Sequence, residues 1–116
     1  MKWEQQTKIV KQTMKELLDL LDRKGKEYTV GDADCLANFK RQAEDVGVRP
    51  DQIALVFMNK HWSSIKSYVK VGKEISDEPI EGRIHDLINY LLLLKCIIHE
   101  QKEQAKQSSD SAPPAE

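Results

Sequence analysis

The sequence contains few of the residues that build β-structure and tight turns. Aromatic residues make up 6% of its 116 residues, and it has 5 glycines and 4 prolines. All-β sandwiches and barrels need frequent turns and strands rich in aromatic and β-branched side chains, so this composition argues against them. We therefore expect an all-α protein, and the length is that of one domain.

Cysteine is equally scarce. Cys35 and Cys96 lie far apart in the sequence and form no CxxC pair, which gives no metal or redox motif. Free cysteines are among the residues most often buried in folded proteins. We therefore expect two buried, reduced thiols in an intracellular protein.

The sequence also lacks an excess of charge of either sign and a long apolar run. Its 18 Lys and Arg residues balance 19 Asp and Glu residues, so we expect no nucleic-acid partner. The most apolar run, from Leu87 to Ile98, is shorter than the roughly 20 residues that cross a bilayer. The first residues are polar and do not resemble a secretory signal. These features predict a cytoplasmic protein with no membrane partner.

Apolar residues that recur every three or four positions predict four helices. The first three helices are predicted over 3–24, from 32 or 33 to 46, and over 50–71, with glycines 25, 47 and 72 at their ends. The fourth starts at about Pro79 and carries apolar residues as far as Ile98. Asp32 is the expected N-cap of the second helix. Residues 1–106 are thus predicted to form a single helical domain. The polar segment 107–116 is predicted to be a disordered tail.

Two helices carry apolar faces that bear on assembly. On the first, Val10, Met14 and Leu18 share one stripe with Leu17 and Leu21, which predicts a buried face. The fourth helix is apolar on more than one side, and so small a chain has little material to cover both. We therefore expect an obligate oligomer of four-helix units, in which a second subunit supplies the missing cover.

Three polar clusters are candidates for function. The first lies in the fourth helix, where Asp86 and Asn89 share a face within the apolar run; a carboxylate there is costly unless it is paired or bound to a cation. The second is the segment 60–68 on the third helix, which could grip a phosphate and stack a base, or could be an ordinary amphipathic helix. The third comprises residues 26–41 around the start of the second helix. The three histidines share no metal-ligand spacing.

The residues of these clusters resemble a known family. The matching segments are Lys24 to Tyr28, Asn38-Phe39, Lys60-His61, Glu78 to Ile84, and Asp86 with Asn89-Tyr90. Together they resemble the MazG-like all-α nucleoside triphosphate pyrophosphohydrolases, and within them the small phage and prophage proteins of the nucleotide-modification-associated, DUF1599-type group.

The resemblance implies an oligomeric helical bundle with nucleotide pockets between helices, in the cytoplasm of an infected or lysogenic bacterial host. In MazG-like enzymes, acidic residues on facing helices hold Mg²⁺, which neutralises the triphosphate and activates water. Carried over, Glu78 and Asp86 are the tentative metal ligands. Gly82 stands where related domains often have another acid, and the second and third helices contain no ExxE pair.

Three functions follow as hypotheses. The depleted acidic set favours a protein that binds a nucleotide between subunits without hydrolysing it, and that could sequester a nucleotide signal of host defence. The residues expected to bind the nucleotide are Tyr28, Asn38, Arg41, Lys60, His61, Ser64, Lys66, Arg83, Asn89 and Tyr90, with Trp62 or Tyr68 as further stacking platforms. The alternative is an Mg²⁺-dependent pyrophosphohydrolase of NTPs or dNTPs that uses Glu78, Glu81 and Asp86. A second alternative is a purely structural helical interaction module.

Overall fold

The computed structural model describes the backbone of residues 1–28 and 34–110, and the side chains of residues 1–26 and 34–108. In these ranges the chain forms four helices and no strands: α1 (Trp3–Tyr28), α2 (Ala37–Val46), α3 (Pro50–Val71) and α4 (Ile80–Asp110). The predicted all-α class and the existence of the four helices are confirmed. None of the described helices is long and apolar enough to cross a membrane.

The first predicted helix end is wrong, whereas the next two are confirmed. α1 continues through Gly25 to Tyr28. An interior glycine costs about 1 kcal/mol relative to alanine, which a packed helix can tolerate, and Gly25 lines a pocket next to α4. Gly47 and Gly72 do end α2 and α3, with left-handed φ angles of 80° and 81° that favour glycine.

α2 begins later than predicted. The expected N-cap, Asp32, lies outside the described residues, and the helix itself starts at Ala37. Just before it, the carboxylate of Asp34 accepts the backbone N–H of Leu36 at 2.9 Å. This side-chain-to-backbone bond stabilises a turn ahead of the helix. At the other end of the chain, α4 includes residues 107–110 of the predicted tail, and residues 111–116 lie outside the description.

The core lies where α2, α3 and α4 meet. α3 and α4 share the largest interface, α2 packs on α3, and α1 touches α4 over a shorter stretch. The buried cluster consists of Leu36, Phe39, Ala43, Ile53, Ala54 and Ile97, with Phe57, Tyr90, Leu93 and Leu94 packed against it. Apart from Leu36, which directly precedes α2, these side chains come from one face of each helix. The core confirms part of the amphipathic pattern of α2, α3 and α4, since Val46 at the end of α2 is 67% exposed.

The predicted burial of α1 is not met within one protomer. Leu17 is buried, but Met14 and Leu18 are 64% and 68% exposed. On α4, Leu91 remains 51% exposed on the side turned away from the core. The radius of gyration is 18.2 Å, against about 13 Å for a compact chain of this length. The four described helices therefore leave apolar faces uncovered within one protomer.

The prediction of buried thiols is also wrong, since both Cys35 and Cys96 are exposed. Cys35 lies in the turn before α2 and not inside the helix. Cys96 directly precedes Ile97, whose side chain is buried, and successive residues of a helix point about 100° apart.

Candidate functional site

A pocket of about 260 Å³ lies between the C-terminal half of α1, the start of α2, and the facing surfaces of α3 and α4. Its lining is mostly apolar and comprises Leu21, Lys24, Gly25, Cys35, Asn38, Phe39, Phe57, Asp86, Asn89, Tyr90 and Leu93. We refer to it as the inner pocket. Four of the residues predicted from the sequence lie in this lining: Asn38, Asp86, Asn89 and Tyr90.

The back of the inner pocket is aromatic. The ring centroids of Phe39, Phe57 and Tyr90 lie 5.8–6.3 Å from one another, in tilted and edge-on arrangements. His61 stacks on Tyr90 at 5.3 Å with an interplanar angle of 27°. Such contacts fix the orientations of the rings and give the pocket a rigid, apolar wall. A planar apolar ring system is the kind of ligand that this wall accommodates.

Asn89 is the most unusual residue of the pocket. Its side chain is only 5% exposed, and its carbonyl oxygen Oδ1 has no hydrogen-bond partner in the part of the chain that the structure describes. A buried polar atom left without a partner costs about 1–3 kcal/mol, and native proteins contain few of them. Because Asn89 lines the inner pocket, a bound molecule could donate the missing hydrogen bond.

Asp86 lies three positions before Asn89, one helical turn away on the same face of α4. Its Oδ2 is 3.8 Å from Nδ1 of His61, which is longer than a hydrogen bond. The Nδ1 atom of His61 is itself buried without a hydrogen-bond partner. Burial lowers the pKa of His61, and the neighbouring Asp86 carboxylate opposes that change. A neutral imidazole thus lies beside a carboxylate whose oxygens remain available to a ligand.

The start of α2 is held at the pocket by a charged clamp. The ammonium of Lys40 contacts both Asp34, in the turn before α2, and Glu100, on α4. The hydrogen bond from Lys40 lowers the pKa of Asp34, and the same bond raises the pKa of Lys40. The clamp fixes the segment that presents Cys35 and Asn38 to the inner pocket. Sequence reasoning missed it because Lys40 and Glu100 are distant in the chain and no spacing rule joins them.

Some of the predicted phosphate-binding residues lie elsewhere. Ser64, Glu78 and Arg83 line a separate, more open hollow of about 290 Å³ between α3 and the start of α4. There Arg83 Nη2 lies 3.0 Å from Glu78 Oε2, so the two charges pair with each other. The hydroxyl of Ser64 donates to the backbone carbonyl of Lys60 at 3.3 Å. The structure therefore divides the predicted site into two regions.

Four further predicted residues line neither cavity, whereas Tyr68 also lines the open hollow of Ser64 and Arg83. Arg41, Lys60, Lys66 and Glu81 are exposed to solvent. The ammonium of Lys66 lies 6.0 Å from the ring centroid of Trp62, which is itself 49% exposed and lines an apolar groove of α3 and α4. The side chain of Tyr28 lies outside the described residues.

The metal prediction gains no geometric support. Within the described part of the chain, no group of three or more His, Cys, Asp or Glu side chains is placed to hold a metal ion. Of the two tentative ligands, Glu78 lines the open hollow between α3 and the start of α4, and Asp86 lines the inner pocket.

Comparisons of the chain with protein-family models, with curated proteins and with solved structures gave no match. A functional conclusion therefore depends on the geometry of the inner pocket and on the sequence motifs.

Proposed function

We propose that this protein binds a nucleotide in the inner pocket, with the base against the aromatic wall, and that it does not hydrolyse it. The observation that carries the proposal is the buried, unpartnered Oδ1 of Asn89 in the lining of an aromatic pocket. Specific small-molecule sites combine such a largely apolar wall with a few placed polar groups.

The size of the pocket supports a base as the buried part of the ligand. Small-molecule pockets usually enclose about 300–1,000 Å³, and the inner pocket, at about 260 Å³, lies just below that range. It suits a ring system better than a whole nucleotide. Lys24, in the same lining, is the cation best placed to meet a phosphate that extends outward.

The acidic residues favour binding over hydrolysis. The inner pocket contains one carboxylate in its described lining, Asp86, while Glu78 is paired with Arg83 in the other cavity and Glu81 is exposed. Pyrophosphohydrolysis of the MazG-like type would need several carboxylates around Mg²⁺. A protein that binds without turnover would lower the free concentration of its nucleotide, as the sequestration of a phage-defence signal requires.

We further propose that the four helices form a MazG-like bundle only when a second copy is present. The exposed apolar stripe of α1, with Met14 and Leu18, and the apolar groove around Trp62 and Leu91 on α3 and α4 are unpartnered within one protomer. Exposed apolar patches of this extent commonly mark protein interfaces. The expanded radius of gyration of 18.2 Å supports a second copy as the occupant, since a protomer with its own complete core would be more compact.

Calorimetry with a panel of NTPs, dNTPs and cyclic dinucleotides, with and without Mg²⁺, tests the binding. Pyrophosphate release is followed in parallel. We expect a nucleotide to bind and to be recovered intact from heat-denatured protein, and Asn89→Leu to abolish the binding. Failure of every nucleotide to bind would favour the structural module. Pyrophosphate release that is lost in Asp86→Ala would instead establish the hydrolase.

Light scattering tests the assembly, and we expect a mass at least twice the 13.3 kDa of one chain. A monomer at micromolar concentration would contradict the proposed oligomer.

A further inference from the structure

The polar groups at the back of the inner pocket are hydrogen-bond acceptors. Asn89 offers an Oδ1 atom without a partner, and Asp86, as a carboxylate, can only accept. Residues three apart on a helix have Cβ atoms about 5–6 Å from each other, so the two side chains can address one edge of a single ring system. The ligand must therefore present several donors on one edge.

Asn38, on α2, contributes a donor to the lining and not a third acceptor. Its Oδ1 accepts a hydrogen bond from Gln42 Nε2 at 3.1 Å, so its amide group has N–H donors to offer a ligand. His61, behind Tyr90, is held neutral by burial and lies beyond hydrogen-bond distance of Asp86. The oxygens of Asp86 are thus not consumed by a protein donor on that side.

Among the standard bases, only guanine places two adjacent donors on its Watson–Crick edge, the ring N1–H and the exocyclic amino group. Adenine and cytosine each place a ring nitrogen acceptor beside their amino group, and a carboxylate would meet the lone pair of that nitrogen. Uracil and thymine have a single ring N–H between two carbonyls. A carboxylate next to a second acceptor therefore discriminates in favour of guanine.

We propose, on the basis of the nucleotide-binding function above, that the inner pocket selects a guanine nucleotide. Asp86 accepts N1–H and one hydrogen of the amino group, and Asn89 Oδ1 accepts the other. The aromatic wall of Phe39, Phe57 and Tyr90 covers the ring system. The side chain of Asp86 is 23% exposed, whereas Asn89 is 5% exposed and lies deeper. In the bound ligand, the amino group of guanine therefore points toward the deeper part of the pocket.

Calorimetry of the full chain with GMP, IMP, AMP and XMP tests this selection. IMP lacks the amino group of GMP, and XMP replaces it with a carbonyl. A well-made bidentate contact to a base edge is worth about 10- to 100-fold in discrimination. We expect GMP to bind about 10- to 100-fold more tightly than AMP, and IMP to fall between the two.

The variant Asp86→Asn gives a gain of binding that misfolding cannot imitate. Its amide accepts N1–H and donates to the carbonyl of xanthine, so XMP should bind more tightly than to wild type and GMP should weaken by about 10-fold or more. Asp45→Asn, at an exposed position on α2, is the matched control and should leave the order of affinities unchanged.

The outcomes separate this inference from the function on which it depends. If AMP or a pyrimidine nucleotide binds as tightly as GMP, the guanine selection is overturned, and the nucleotide-binding function still stands. A folded Asp86→Asn protein in which the ratio of XMP to GMP affinity equals that of wild type would also overturn it. Absence of binding by any nucleotide would overturn both.

Discussion

Replacement of Asn89 by leucine should stabilise the protein while it abolishes ligand binding. Leucine has nearly the same branched shape as asparagine but has no polar atoms. Asn89 is 5% exposed, and its Oδ1 has no hydrogen-bond partner among the described residues, so leucine removes a buried, unsatisfied carbonyl oxygen. Most substitutions at buried positions destabilise, and the opposite sign expected here is therefore diagnostic.

The expected magnitude follows from the burial of Asn89. An unsatisfied buried polar atom costs about 1–3 kcal/mol, and leucine favours a helix over asparagine by up to about 0.7 kcal/mol. Imperfect fit of the new methyl groups offsets part of the gain. We expect the free energy of unfolding to rise by about 1–3 kcal/mol. For a chain of this size, that raises Tm by roughly 5–10 °C.

Urea and thermal unfolding of ligand-free protein, refolded from denaturant, measure this change. Wild type and variant are compared at one protein concentration, because an oligomer's stability depends on concentration. Asn38→Leu is the matched control: Asn38 lines the same pocket, but its Oδ1 accepts a hydrogen bond from Gln42. That variant should lose about 0.5–1.5 kcal/mol with the bond. Destabilisation of Asn89→Leu by 1 kcal/mol or more would refute the reasoning, because Asn89 would then have native partners.

Three further predictions concern neighbouring features. Because burial lowers the pKa of His61 below its ordinary 6.5, the unfolded chain takes up a proton at a higher pH than the folded chain does. The free energy of unfolding should therefore fall as the pH decreases from about 7 through the folded-state pKa of His61. Urea titrations at several pH values should show a shallower fall in His61→Gln. A nucleotide at ten times its Kd should slow thiol labelling of Cys35 about tenfold, and equal protection of Cys96, outside the pocket, would contradict the placement. Met14→Glu should reduce the mass measured by light scattering to 13.3 kDa, whereas the exposed-site control Gln5→Glu should not.

Helix periodicity and glycine position predicted most of the fold. Gly47 and Gly72 end helices because both the local pattern and the left-handed φ agree there. Gly25 carries the same local signal, yet α1 continues through it to Tyr28, and a side chain added at Gly25 would meet nothing within 4 Å. A local propensity of about 1 kcal/mol is too small to decide between these cases by itself.

The sequence predicted only some of the residues of the inner pocket. Asp86 and Asn89 were identifiable because polar residues inside an apolar run must have a partner, and both do line the pocket. Arg83 is only three positions from Asp86 but lies in the other cavity, paired with Glu78. Spacing specifies which residues share a face of one helix; it does not specify which neighbouring helix covers that face.

The first helix has an apolar stripe that remains exposed in a single protomer. The stripe that includes Met14 and Leu18 has the spacing of a buried face, yet both residues are more than 60% exposed, and on α4 Leu91 is uncovered as well. Burial of each such side chain would contribute about 1.5–3 kcal/mol, so several together are comparable with the whole stability of a small domain. The proposed oligomer accounts for so many apolar positions on two separate surfaces of a chain that is otherwise 32% charged. Because the inner pocket includes Leu21 and Lys24 of α1, a second copy that fixes α1 would also fix one wall of the proposed ligand site and would couple assembly to binding.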